Sequence, residues 1–349
     1  MSMKQVYLAI DAHARNSVLG SMNIRGEFLK SWRFPTCEKK LIEHVAAIKA
    51  CKKILAVEEG PLAYWISQTL RPYVDELIIS DPRETPLISR NAMKRDELDV
   101  RNLCRLLRLG ELKRVYHPEE DHRAIFKAAV QHYIDFRNQE TALKQKIKAK
   151  YRGWGVPDVE GTGVYNPEKQ REYLKKVASS IVINQLKRLY RLLNTALEVQ
   201  DSSLKEAKKL SRKYPEIREF LKVPGVGVIG ALIFDAYVQT PHRFPRKQQL
   251  WRYCKLAVTD RSSDGKQLAY KRLDKAGNSE LKAMSYRAFL GAMRIKNGNE
   301  VRQFYEASLQ RTRNHTRARL NTQRKIISVL HGIWRKKEVY RPELFLGSE

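Results

Sequence analysis

Cysteine is scarce and scattered in this chain. Cys37, Cys51, Cys104 and Cys254 are its only four in 349 residues, with no Cys-x-x-Cys pair. That pattern excludes a disulfide scaffold and a zinc knuckle. Long apolar runs are missing too, since no stretch approaches the roughly 20 residues a membrane-spanning helix needs. Met1 to Ala9 hold one Lys and a short strand-like run, without an apolar signal region or a small-residue cleavage site. The expected location is therefore a reducing cytoplasm, with no membrane partner. Acid is the class in shortest supply: 38 Asp and Glu face 67 Lys and Arg, a formal net charge of +29. The natural counterpart of such a field is a polyanion, and with the membrane set aside that means nucleic acid.

What is present supports folded domains. Hydrophobic residues make up 42% of the chain, enough for real cores, and the length suits two or three domains. The first ~115 residues alternate strand and helix signals. Val6 to Ile10 reads as a buried strand. Ser17 to Ile24 and Gly26 to Phe34 read as two more, joined at Arg25-Gly26. A helix over Glu38 to Lys49, a strand over Lys53 to Val57, a helix over Pro61 to Leu70, a strand over Glu76 to Ser80 and a helix over Glu97 to Leu109 follow. Three strands, then helix–strand–helix–strand–helix, is the element order of a ribonuclease-H-like domain. A doubly wound nucleotide-binding domain rarely opens on three consecutive strands.

From His122 the period changes. Ile125, Ala129, His132, Phe136, Leu143 and Ile147 recur near every 3.5 residues, and Leu186, Leu189, Leu193, Leu197, Leu204 and Ala207 resume the pattern. Between them lie Gly153, Gly155, Pro157, Gly161, Gly163 and Pro167. This spacing suits a coiled-coil hairpin or, equally, an ordinary helical bundle. The fold class expected is α/β plus α, in three parts: residues 1–117, a helical arm over 118–215, and a mostly helical domain over 216–349.

Against so basic a background, the placement of acids is informative. Asp11 ends the first buried strand, Glu58 and Glu59 end the fourth, and Asp96 and Asp99 stand at i and i+3 where a helix begins. In a ribonuclease-H-like sheet the first and fourth strands are neighbours, so Asp11 and Glu58 meet, and the helix brings Asp96 and Asp99 to them. Singly, each acid reads equally as a cap or turn residue. Together, four carboxylates need a cation, and hard oxygen ligands suit Mg²⁺ or Mn²⁺. Two such ions support phosphodiester displacement.

Three further features bear on function. Gly225 to Gly230 matches G-x-G-x-x-G literally, yet no convincing strand precedes it and no βαβ unit follows. Pro224-Gly225-Val226-Gly227 suits a helix-hairpin-helix turn whose Gly225 and Gly227 amides approach phosphate, or else a purely structural turn. Arg261 to Lys266 is a polar turn holding Ser262 and Ser263, with Arg261, Lys266, Lys271, Arg272 and Lys275 nearby. It reads as a solvated loop or as the seat of a serine nucleophile. Nine Arg or Lys and no acid lie between Arg311 and Lys337, and Arg313, Arg317 and Arg324 are spaced for one helical face. That face suits phosphate contact.

These residues resemble a family, the DEDD-type insertion-sequence transposases of the "IS one-ten" group, whose relatives include Piv-type DNA invertases. Ala9 to His13 resembles its G-I-D-V-H motif, Val57 to Tyr64 its E-A-G-P-x-G-Y segment, and Lys94 to Val100 its K-T-D-R-x-D-A motif. The second motif selects Glu58 over Glu59. Val223 to Gly227 resembles I-P-G-V-G, Arg243-Phe244 with Gln248 to Leu250 resembles R-F-x-x-x-x-Q-L, and Lys275 to Asn278 resembles K-x-G-N. Lys255 to Lys266 resembles G-L-x-P-R-x-x-S-S-G-G-K, with Lys255, Val258, Thr259 and Asp264 in place of Gly, Pro, Arg and Gly.

The resemblance implies a RuvC-like domain whose Asp11, Glu58, Asp96 and Asp99 bind Mg²⁺. It further implies a C-terminal domain whose Ser263, with Ser262 as the fallback, forms a phosphoserine with DNA. A bridge RNA pairing with donor and target DNA, a homodimer assembling into a tetramer through coiled-coil arms, and a bacterial or archaeal cytoplasmic home near the nucleoid are implied likewise. An invertase and a RuvC-like nuclease using metal-activated water are the alternatives.

Overall fold

The computed structural model describes residues 4–82, 96–118, 121–259, 262–263, 266–267 and 272–346. Lys94, Arg95, Arg261, Asp264 and Lys271 lie outside the described residues. Chain contacts divide the molecule into two units, Met1–Glu119 and Glu120–Glu349.

The first unit is built on strands β1 (Val6–Ala12), β2 (Asn16–Asn23), β3 (Phe28–Pro35), β4 (Lys53–Glu58) and β5 (Glu76–Ser80). They form one sheet in the order β3-β2-β1-β4-β5. The first three run antiparallel, and β4 and β5 run parallel to β1. Strands covered on both faces read as near-continuous apolar runs, and β1 and β4 do so for that reason. Leu8, Ile10, Leu55 and Val57 pack under helices α1 (Glu38–Ala47) and α2 (Ala63–Leu70). Ala9, Ile54 and Ala56 pack against α3 (Asp96–Leu109), which buries Val100, Leu103, Cys104 and Leu107. Segment 113–115 then lies along β5, with Val115 N–H donating to Ile79 O at 2.7 Å. The result is a three-layer α/β/α arrangement with a mixed sheet.

The second unit is helical. Helices α4 (Asp121–Gly153) and α6 (Ser180–Ser211) run antiparallel, tied at Gln200–Glu140 (3.0 Å), Lys150–Gln185 (2.5 Å) and Tyr190–Tyr151 (3.1 Å). The Gly/Pro-rich break between them folds into its own short helix, α5 (Pro167–Lys175). Asn166 caps it by accepting from Glu168 N–H. Val156, Val159, Val164 and Val177 of this segment close a cluster with Ile147, Tyr151, Leu186 and Tyr190 at the far end of the helix pair.

The root of the pair belongs to a different core. Phe126, Val130, Tyr133 and Ile134 pack with Ala207 and Tyr214, and with α7 (Glu216–Phe220), α8 (Val228–Val238), α9 (Lys247–Tyr253), α10 (Ser279–Arg294), α11 (Glu300–Thr312), α12 (His315–Lys336) and α13 (Glu343–Leu346). This corrects the expected seam on α4. Ile125 is 55% exposed, and Phe126 and Val130 are buried in its place. The helix root faces the aromatic core around Tyr214 and Phe220 as well as α6, so its apolar stripe follows the globular period rather than a heptad seam.

The α8 turn is set by close packing. Gly225 has φ +83, and a Cβ there would lie 2.0 Å from Ala288 O on α10. Gly225→Ala is expected to cost about 3 kcal/mol, combining overpacking with a left-handed backbone. Urea unfolding measures it, and an unchanged midpoint would contradict this packing.

Candidate active site

Alternation along a strand decides which side chains share a face. Leu8 and Ile10 of β1 point toward α1 and α2, so Ala9, Asp11 and His13 fall on the α3 side. On β4, Leu55 and Val57 face α1 and α2, while Ile54, Ala56 and then Glu58 face α3. The parallel register pairs Ile10 with Val57, so Asp11 and Glu58 stand side by side one residue further on. Helix α3 packs on this same face and carries Asp96 and Asp99 in its first turn. Strand register and helix packing thus put Asp11 and Glu58 on the face of the sheet that α3 covers, with Asp96 and Asp99 in the first turn of that helix.

Their coupling is visible at Asp11. Burial raises its carboxyl above the ordinary value, the charges of Asp96 and Asp99 push the same way, and His13 opposes them. His13 Nε2 lies 3.4 Å from Asp11, and Arg33 of β3 reaches Asp96 at 3.2 Å. One ligand atom each from Asp11, His13 and Asp96 falls within 4.8 Å of the others, a spacing that could hold a metal ion. Carboxylates pressed together, one of them largely buried and raised by its neighbours, fit a hard divalent cation that would relieve their repulsion. His13 is absent from the acid set read from the sequence. The signal was Asp-x-His at the strand end, two residues apart and so on one face.

Glu59 faces away, as alternation requires. Its carboxylate pairs with His117 at 2.5 Å, and that imidazole stacks on Tyr64 with ring centroids 6.4 Å apart.

In the second unit the serine segment is a small β platform. Strand β6 (Val258–Thr259) pairs with β9 (Arg272–Leu273), and β7 (Ser262–Ser263) pairs with β8 (Lys266–Gln267). Ser263 stands opposite Lys266, leaving two residues, Asp264 and Gly265, to connect them.

The root of this platform is well anchored. The guanidinium of Arg324 donates through Nε (2.8 Å) and Nη2 (2.6 Å) to Leu256 O, and lies over the Trp251 ring. Arg252 pairs with Asp274 at 3.0 Å. Gly277, at φ +116, lets the chain pass where a Cβ would lie 2.4 Å from Tyr253 O, and Asn278 then caps α10 by accepting from Leu281 N–H.

The basic residues singled out for phosphate fare differently. Gly225 packs against α10, whereas Gly227 caps α8 with open space beside it. Arg272, Lys275, Arg313 and Arg317 are exposed. Arg313, at φ +49, caps α11 in the junction before α12, so it shares no helical face with Arg317 and Arg324. Arg324 is half-buried in the Leu256 clamp, and burial lowers its pKa. That placement corrects the single basic face expected there. A left-handed residue at 313 breaks the helix that would have created it. Arg261 and Lys271 lie outside the described residues.

Comparison with known proteins bears on the second unit first. Residues 217–306 match the family described as Transposase IS116/IS110/IS902. The chain is 26% identical to a putative transposase, y4qE, of Sinorhizobium fredii, over 65% of this chain and 55% of that protein. It is 33% identical to an uncharacterized protein of insertion element IS110 from Streptomyces coelicolor, over 44% of this chain and 36% of that one. It is 22% identical to the transposase of insertion sequence element IS1111A from Coxiella burnetii, over 86% and 83%. Residues 217–306 therefore carry a likeness to the IS110-family transposase domain. The family match covers α8, α9, the serine platform and α10, and the acidic cluster lies outside it in the first unit. The matches span about half or less of the Sinorhizobium and Streptomyces proteins. No described helix is long and apolar enough to cross a membrane.

Proposed function

We propose that this chain cuts and rejoins DNA for an insertion sequence, with a RuvC-like acidic site in the first unit and a serine nucleophile in the second. The observation that carries the reading is the Asp11, His13 and Asp96 cluster, held on the same chain as an IS110-family transposase domain. Asp11, Glu58, Asp96 and Asp99 would hold Mg²⁺, with Mn²⁺ an alternative, and His13 is placed to assist. Bound there, the metal would supply charge stabilisation for phosphodiester displacement.

The serine supplies the covalent step. Ser263 Oγ attacks a DNA phosphorus and loses its proton, one P–O ester bond forms, and the bond to the departing DNA oxygen breaks with that oxygen taking up a proton. A second DNA hydroxyl then attacks the phosphoserine and restores the serine. One ester bond replaces another at each stage, so no external energy source is required. Lys266, paired opposite Ser263, and the exposed Arg272 and Lys275 further along the chain are candidate cations for the phosphate.

The wider assembly belongs to the same proposal: residues 1–117 as the RuvC-like domain, 118–215 as the arm, 216–349 as the transposase domain, and dimers paired into a tetramer. A bridge RNA selects donor and target DNA. The net charge of +29 supports such a nucleic-acid load.

The test is recombination between donor and target plasmids, with the gene expressed beside its flanking non-coding DNA. Activity should require Mg²⁺, vanish in EDTA, and depend on one discrete flanking transcript that co-purifies with the protein. Recombination that persists in EDTA would reject the metal site. Only heterogeneous RNA on active protein would reject guidance and favour an invertase.

A further inference from the structure

The antiparallel pair α4 and α6 has two sides, and only one is closed. Val156, Val159, Val164 and Val177 cover one side over Ile147 and Leu186. On another side lies a groove of about 540 Å³ whose floor is Trp154, Leu189 and Leu192 and whose rim carries Lys146, Lys150 and Arg188. The lining residues on α4 recur at 146, 149, 150 and 153, and those on α6 at 185, 188, 189 and 192, which is helical spacing for two facing stripes. Ala149 and Gly153 give the groove depth, and a Cβ at Gly153 would meet nothing within 4 Å. Trp154 is 53% exposed and Leu192 56% exposed. No carboxylate lines the groove among the described residues.

Large aromatic and aliphatic side chains left in water on a structured helix pair call for an occupant. A second copy of this face is disfavoured, because it would bring two cationic rims into one interface with no lining carboxylate among the described residues to offset them. A polyanion with flat apolar faces satisfies both the rim and the floor. We propose that this groove seats an unpaired stretch of a polynucleotide, with a base stacked on Trp154 and the neighbouring phosphates on Lys146 and Arg188. Lys150 already donates to Gln185 Oε1 and fixes the rim between the helices. The groove reads a base face and phosphate oxygens, groups common to DNA and RNA, so both strands bind alike. A duplex, whose bases are already stacked on each other, offers nothing to Trp154. The proposal rests on the nucleic-acid reading above, but not on recombination or on Ser263.

The experiment is fluorescence anisotropy with the full chain, using labelled dT15, rU15 and a 15-base-pair DNA duplex over a salt series. Trp154→Ala should weaken both single strands about tenfold while leaving the duplex unchanged. Trp154→Phe should restore most of that affinity. Lys146→Gln and Arg188→Gln should each reduce the slope of log K against log salt for the single strands by about 0.7. Trp154 is exposed, so these variants keep the fold. Equal losses on single strands and duplex, or no loss at all, would overturn the proposal. So would an altered oligomeric state of Trp154→Ala with unchanged affinity, since the occupant would then be another chain. Failure of the wild type to bind any of the three probes would instead reject the nucleic-acid reading itself.

Discussion

Asp11→Asn is expected to reduce recombination by roughly three orders of magnitude, since a ligand worth several kcal/mol of transition-state charge stabilisation is lost. The same substitution should not destabilise the metal-free protein. Asp11 sits among like charges, and burial together with Asp96 and Asp99 raises its pKa in the folded state. A raised carboxyl pKa means the folded state binds the proton more tightly than the unfolded chain does. The stability it contributes is full below the ordinary carboxylate value and is lost as pH rises through the raised one. Thermal melts of the metal-free wild type should therefore show this loss, and Asp11→Asn should remove it. At neutral pH, Mg²⁺ should raise the melting temperature of the wild type and leave Asp11→Asn unmoved. A variant that still responds to Mg²⁺ like the wild type would remove Asp11 from the metal site.

Arg123→Met is expected to destabilise the second unit by about 3–5 kcal/mol, the cost of breaking a buried ion pair from one side. Arg123, near the start of α4, donates to Asp235 at 2.5 Å and to Glu216 at 2.7 Å, while its guanidinium lies 3.9 Å from the Tyr214 ring centroid. The Asp235 side chain is 0% exposed, and its Oδ2 finds no hydrogen-bond partner among the described residues. Burial pushes that carboxyl well above its usual range, Arg123 pulls it down, and Glu216 pushes it up again. Removing the guanidinium leaves two acids facing each other in a nonpolar core. Urea unfolding should show the loss, and the double variant Arg123→Met, Asp235→Leu should recover much of it. A double variant no better than the single one would mean that Arg123 acts through packing on Tyr214 and Trp334 alone.

Much of the first unit was legible because its strands are short, apolar and separated by clear turns. Alternation along β1 and β4 carries the argument from sequence to site. Once Leu8, Ile10, Leu55 and Val57 are read as core, Asp11 and Glu58 must share the opposite face. His13 follows by the same alternation, two residues on from Asp11. The helical unit was legible in outline only. Periods of 3.5 and 3.6 drift apart by only about 20° per heptad, so spacing alone does not decide between Ile125 and Phe126; the core that the helix root meets does. Arg324 shows the limit most plainly. Its spacing from Arg317 suits a phosphate-binding face, yet its donors meet Leu256 O, 68 residues earlier in the chain. Long-range contacts of that kind, like Arg123 with Asp235 112 residues away, leave no local mark in the sequence.

The central claim is that Ser263 becomes covalently joined to DNA while the acidic site of the first unit supports the reaction. Its most direct test is to trap the protein on element-end DNA with Mg²⁺, denature and digest both, and locate the nucleotide-bearing peptide by mass spectrometry. The account predicts a phosphodiester-linked nucleotide on Ser263 in the wild type, none in Ser263→Ala, and none in Asp11→Asn. Cleaved DNA without any protein-linked nucleotide, equally abundant in Ser263→Ala, would contradict it and identify a metal-dependent nuclease that uses water.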